Sequence, residues 1–82
     1  MEVKVILHGN LLNIYSELDE EIILELNSDA SVADILIELD INSALVTAIK
    51  VDGVQREREF MLQNGTLEKG SEVQLIGPLA GG

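Results

Sequence analysis

Eighty-two residues make one domain, and a chain of this length buries only about 60–65% of the surface its unfolded form exposes, so its core has to be economical. Its formal charge of −10, from 15 acidic against 5 basic residues, argues against nucleic acid, where lysines and arginines must displace counterions from phosphates, and steers the chain toward basic partners. The absence of cysteine and the single histidine, His8, exclude a disulfide framework, a thiol nucleophile, a thiolate-held cluster and the usual zinc sites.

Val3, Val5 and Leu7 alternate with Glu2, Lys4, Ile6 and His8, the period of a strand with one buried face. His8-Gly9-Asn10 breaks it. Leu11 to Asp19 has no clear period and is read as a hairpin loop packed partly onto the domain. Ile22, Leu24 and Leu26 alternate with Glu21, Ile23 and Glu25, giving a second strand antiparallel to the first. Ser31 and Asp34 stand in the relation of a capping box. Val32, Ile35, Leu36 and Leu39 then form one apolar helical stripe, and Ile37, off that stripe, is expected to be partly covered by a neighbouring loop.

Leu45 to Val51 returns to alternation, with Leu45, Ile49 and Val51 on one side and Val46, Ala48 and Lys50 on the other. Asp52-Gly53 marks a tight turn into a short return strand at Val54-Gln55. Arg56-Glu57-Arg58-Glu59 reads as an exposed edge or loop, where charges discourage strand pairing. Phe60 to Leu67, with a turn signal at Asn64-Gly65, reads as an irregular segment whose apolar residues cap the core. Lys69-Gly70-Ser71 turns into a last strand, in which Val73 and Leu75 alternate with Glu72, Gln74 and Ile76. Strands with one covering helix give an α+β domain over 1–76, followed by a flexible C-terminal tail, 77–82. The N-terminus lacks the basic and apolar regions of a signal peptide, and no run is long enough to span a bilayer; a soluble, cytoplasmic chain without membrane partners is expected.

The tail, Gly77-Pro78-Leu79-Ala80-Gly81-Gly82, has two readings. Small residues are tolerated at frayed ends; equally, a Gly-Gly tip without Cβ atoms passes through a narrow channel and presents the carboxylate of Gly82 to another protein.

The order of elements, the helix start Ser31-Val32-Ala33-Asp34-Ile35-Leu36, and the closing stretch from Leu67-Glu68-Lys69-Gly70-Ser71-Glu72-Val73 through Ile76 to the Gly-Gly end resemble the ubiquitin-like β-grasp fold and its small sulfur carriers. The nearest branch is the small subunit of molybdopterin synthase, and the thiamine-biosynthesis sulfur carrier is next. The chain departs from the pattern at Ser71, where the family usually has aspartate, in a longer segment from Gln55 to Asn64, and at Gly77, where the molybdopterin branch commonly has a second proline.

The resemblance implies a mixed sheet of four to five strands with one main helix on one face. It also implies a carrier with no catalytic groups and no bound cofactor of its own. A separate activating enzyme would use ATP to adenylate Gly82, and a sulfur donor would convert it to a thiocarboxylate. The acceptor site would lie on the large synthase subunit. Gly81, Ala80, Leu79 and Pro78 would thread and align the tail, proline by restricting φ.

Strand alternation places Ile6, Ile23, Val46, Ala48 and Ile76 on the sheet face away from the helix, with Lys4 and Lys50 at the rim; these are the candidate partner patch. His8 is expected to be a surface or turn residue. The carboxylates lack metal-loop spacing. Three classes stay open: sulfur carriage, modification of other proteins' lysines through Gly82, and a plain binding module.

Overall fold

The computed structural model describes residues 1–63, 65–68 and 70–78. Its sheet is built around β1 (Glu2–His8), where strict alternation buries Val3, Val5 and Leu7 and leaves the intervening side chains outside. β2 (Glu21–Glu25) pairs antiparallel with it, Val3 opposite Leu24. β5 (Glu72–Ile76) lies parallel on its other side, Val5 opposite Val73 and His8 opposite Ile76. β3 (Ala48–Val51) and β4 (Val54–Arg56) complete the order β2-β1-β5-β3-β4. They are joined by Asp52-Gly53, whose φ values of 52° and 82° are the paired left-handed angles of a tight hairpin turn.

α2 (Val32–Leu39) covers one face, burying Val32, Ile35 and Leu36 against the inward side chains of β1, β3 and β5. Its start is the expected capping box: Ser31 N–H donates to Asp34 Oδ2 at 2.8 Å, and Asp34 N–H donates to Ser31 Oγ at 3.4 Å. Ser31→Ala is expected to cost about 1 kcal/mol, lowering the thermal midpoint by about 4–8 °C in a domain of this size. Differential scanning calorimetry checks this, and an unchanged midpoint would mean that the cap bears no weight.

Four sequence readings are corrected. The 11–19 stretch begins with a helical turn, α1 (Leu11–Ile14). It buries Leu11 completely, and Tyr15 fastens the segment by accepting Asn42 N–H on its hydroxyl at 2.8 Å. The strand expected from Leu45 starts only at Ala48, because Ser43–Leu45 forms a 3-10 turn opened by Asn42 Oδ1 accepting from Ala44 N–H at 3.0 Å.

The charged run forms an exposed edge only at Arg56, the last residue of β4, and its remainder with the segment after it contains α3 (Arg58–Gln63). The Glu57 carboxylate accepts from the amides of Glu59 and Phe60 at 3.2 and 2.6 Å, and so starts the helix in the way an N-cap does. Met61 and Leu67 do close the core, but Phe60 is 50% exposed. Ile37, expected to be partly covered, is 76% exposed. The Asn64 half of the expected turn, and Lys69, lie outside the described residues.

Candidate functional site

On the face opposite α2, pairing places Ile23 level with Lys4, Ile6 level with Gln74, and Ile76 level with both His8 and Ala48. Ile23, Ile6 and Ile76 thus advance one strand across and two residues along at each step, and Ala48 extends the line from Ile76 onto β3. They form a diagonal apolar stripe, because diagonal neighbours on one sheet face lie within reach of long side chains. Ile23 is 53% exposed, and Ile6, Ala48 and Ile76 are half-buried. Lys4 and Lys50 flank the stripe, with Lys4 Nζ 3.2 Å from Glu21 Oε1.

Val46 does not belong to this face. The alternation that put it there presumes a strand running through it, whereas the 3-10 turn ahead of β3 rotates its side chain into the core, where it is 0% exposed. Its carbonyl accepts from Arg58 Nε, and the same guanidinium donates to Ser43 O at 2.7 Å. Arg58, read from sequence as a solvated charge, therefore ties α3 to the approach of β3.

The parallel pairing of β1 with β5 brings the end of β5 beside the turn that leaves β1. Gly77 N–H donates to His8 O at 3.1 Å, and Asn10 N–H donates to Pro78 O at 2.8 Å. From the other side Thr47 N–H donates to Ile76 O at 2.8 Å, while the Thr47 hydroxyl lies 3.0 Å from that oxygen and 3.2 Å from Gly77 O.

Space enforces this course. A Cβ on Gly77 would lie 2.5 Å from Leu11 Cγ, and one on Gly9, whose φ is +67°, would lie 3.0 Å from Gly77 O. Gly77 is buried and Pro78 half-buried. The first two residues of the tail expected over 77–82, Gly77 and Pro78, are therefore bonded to the fold. Leu79, Ala80, Gly81 and Gly82, the expected threading and reacting residues, lie outside the described residues.

Thr47, Gly9 and Asn10 were not singled out from sequence. Their only signal was the break at His8-Gly9-Asn10, which says that a strand ends but not what the turn will touch. His8, expected at the surface or in a turn, is half-buried beside Ile76, and its Nε2 has no hydrogen-bond partner among the described residues. No cluster of metal-ligating side chains occurs among the described residues, and no helix there is long and apolar enough to cross a membrane.

No protein-family model and no curated protein matches the chain. Solved structures do. SAMP1, the small archaeal modifier protein 1 of Haloferax volcanii, is 17% identical over 100% of both chains, with a TM-score of 0.69. A putative molybdopterin converting factor, subunit 1, from Pyrococcus furiosus is 19% identical over 96% of this chain and 99% of its own, with a TM-score of 0.68. A chain from the complex of subunits 1 and 2 of the molybdopterin-converting factor of Helicobacter pylori is 22% identical over 100% of both chains, with a TM-score of 0.62. At these identities the likeness shows the fold: a ubiquitin-like β-grasp, whose five-stranded mixed sheet falls within the four to five strands that the resemblance implied.

Proposed function

We propose that this chain is a ubiquitin-like sulfur carrier that works through the carboxylate of Gly82 and serves molybdopterin synthesis as the small partner of a two-subunit synthase. The observation that carries the reading is the placement of an apolar stripe on the open sheet face, reaching Ile76 and Ala48, next to Gly77 and Pro78, which are bonded to the fold four residues before Gly82. Four residues span about 14 Å when extended, so a partner that uses Gly82 must come that close to Pro78. The shared fold with a subunit 1 solved in complex with its subunit 2 supports it.

The chemistry is set by what a carboxylate lacks. It is a poor acyl donor, since its leaving group would be oxide. Attack by a Gly82 carboxylate oxygen on the α-phosphorus of ATP forms an acyl-adenylate and releases pyrophosphate, and hydrosulfide then displaces AMP, leaving a thiocarboxylate and a proton. The carbonyl carbon changes its attached heteroatom and nothing is oxidised. Sulfur is held without a thiol side chain, so a chain with no cysteine can carry it. The groups that bind ATP, activate the sulfur source and accept the sulfur belong to the activating enzyme and the large subunit, and this chain contributes the docking face, the tail and the reacting end.

The test is the intact mass after incubation with an adenylating enzyme, ATP and sulfide. One oxygen replaced by sulfur, absent when Gly82 is deleted, is the expected result; an unchanged mass with an enzyme active on another carrier would overturn it. Ile76→Asp is expected to weaken association with the activating enzyme about tenfold or more, since a charge in the centre of an apolar contact is left unpaired. The thermal midpoint should hold near the wild-type value. Isothermal titration calorimetry measures the first, and equal affinities would remove the stripe from the docking surface.

A second reading, conjugation of Gly82 to lysines of other proteins, is favoured by the likeness to a protein named as a modifier. The same acyl-adenylate serves both. Conjugates that survive reducing agent would support it, whereas a stable complex with a large synthase subunit supports carriage.

A further inference from the structure

Of the chain's unassigned features, the one with the fullest set of contacts is the grip on Gly77 and Pro78. We propose that Thr47, acting with the Gly9-Asn10 turn, is a positioning residue that holds Gly77 and Pro78 in the fold, so that the reach of Gly82 toward a partner is counted from Pro78 rather than from Ile76. The proposal rests on the carrier reading of Gly82.

The grip has two sides. The turn after β1 holds Gly77 through its N–H and Pro78 through its carbonyl, while Thr47, ahead of β3, holds Ile76 and Gly77 through their carbonyls. The single hydroxyl proton of Thr47 is shared between two acceptors at 3.0 and 3.2 Å. Ile76 is still paired with His8 and Ala48, whereas the Gly77 carbonyl lies one residue past the end of β5. Glycine at position 9 leaves the room that the Gly77 carbonyl occupies. Gly77 and Pro78 are thereby held when the domain folds, so a partner that grips the chain does not have to order these two residues.

Chain geometry sets the reach. Six extended residues span about 21 Å and four about 14 Å. A partner's adenylation centre must therefore lie within about 14 Å of Pro78, which requires it to seat on the end of the sheet that carries Ile76, Ala48 and Thr47. Loosening the root leaves the docking face intact but lets the reacting end sample more positions, and misplacement of a reacting atom lowers turnover rather than affinity.

Thr47 is exposed, so Thr47→Val removes the hydroxyl without disturbing the core. With the adenylating enzyme, ATP and pyrophosphate release as the readout, this variant is expected to lose about three- to tenfold in kcat, the worth of one hydrogen bond, with KM within about twofold. Thr47→Ser, which keeps the hydroxyl, is expected to restore turnover. Amide exchange supplies an arm that needs no enzyme: the Gly77 and Asn10 amides should exchange several-fold faster in Thr47→Val, and those of Val5 and Leu7 should not.

Unchanged exchange at Gly77 and Asn10 would overturn the proposal, as would faster exchange with undiminished kcat, or a rise in KM alone. A wild-type chain that releases no pyrophosphate would overturn the carrier reading instead, and the exchange rates would still decide whether Thr47 holds the root.

Discussion

Deleting Gly82 is expected to lower adenylation by more than about a hundredfold while leaving the thermal midpoint within a degree or so of wild type. The variant still ends in glycine, since Gly81 becomes its last residue, so the chemical nature of the reacting group is unchanged. What changes is its place. One residue removed from an extended chain withdraws the carboxylate by about 3.5 Å, and about 1 Å of misplacement is already enough to cost a hundredfold in a positioned reaction. Because Gly77 and Pro78 are bonded into the fold, the chain cannot make up the loss by releasing more of itself. The buried core runs from Val3 to Leu75, which is why stability is expected to hold. Pyrophosphate release and calorimetry on the same preparation check both halves. Full activity would mean that the place of the terminal carboxylate does not limit the reaction, and a collapsed midpoint would mean that the loss of activity says nothing about chemistry.

The parts of the fold that were legible in the sequence are those governed by one period at a time. β1, β2 and β5 each alternate without interruption, and α2 begins with a cap and continues with one stripe, so burial of Val3, Val5, Ile35 and Leu75 can be read from pattern alone. Val46 shows where that reasoning fails. Leu45 to Val51 alternates well enough for a strand, but Asn42 and Ser43 turn the chain first, and a side chain assigned to the open face enters the core.

The run from Arg56 to Glu59 fails for a different reason. Its charges fit an exposed edge equally well, and only the contacts of the Glu57 carboxylate with two amides and of Arg58 with two carbonyls make it the start of a helix. Those are tertiary choices, and no local period announces them. The grip on the tail is of the same kind. It joins residues 8–10, 47 and 76–78, which meet because β5 lies between β1, parallel to it, and β3, antiparallel to it. A Gly-Pro pair after a strand looks like the start of a tail until the neighbouring turn is known to hold it.

Gly77→Val is expected to be the most destabilising change at the tail root, by about 3 kcal/mol, or roughly 15 °C in the thermal midpoint. The cause is space rather than backbone angle. The first carbon of any side chain at position 77 would lie 2.5 Å from Leu11 Cγ and 3.1 Å from both Leu11 Cδ2 and Leu11 N. Leu11 is fully buried, so it has no open side toward which to move, and the neighbouring backbone is held by Asn10 N–H on Pro78 O.

Leu11→Ala alone should cost a comparable amount, about 3 kcal/mol, through the cavity it leaves. The pair together should cost less than the sum by about 1–2 kcal/mol, because the valine would fill room that the shortened residue vacates. Urea denaturation of the four proteins gives this coupling directly. Additive losses would mean that residues 11 and 77 do not meet. A coupled pair requires that α1, the turn before it and the end of β5 form one packed unit that includes Gly77.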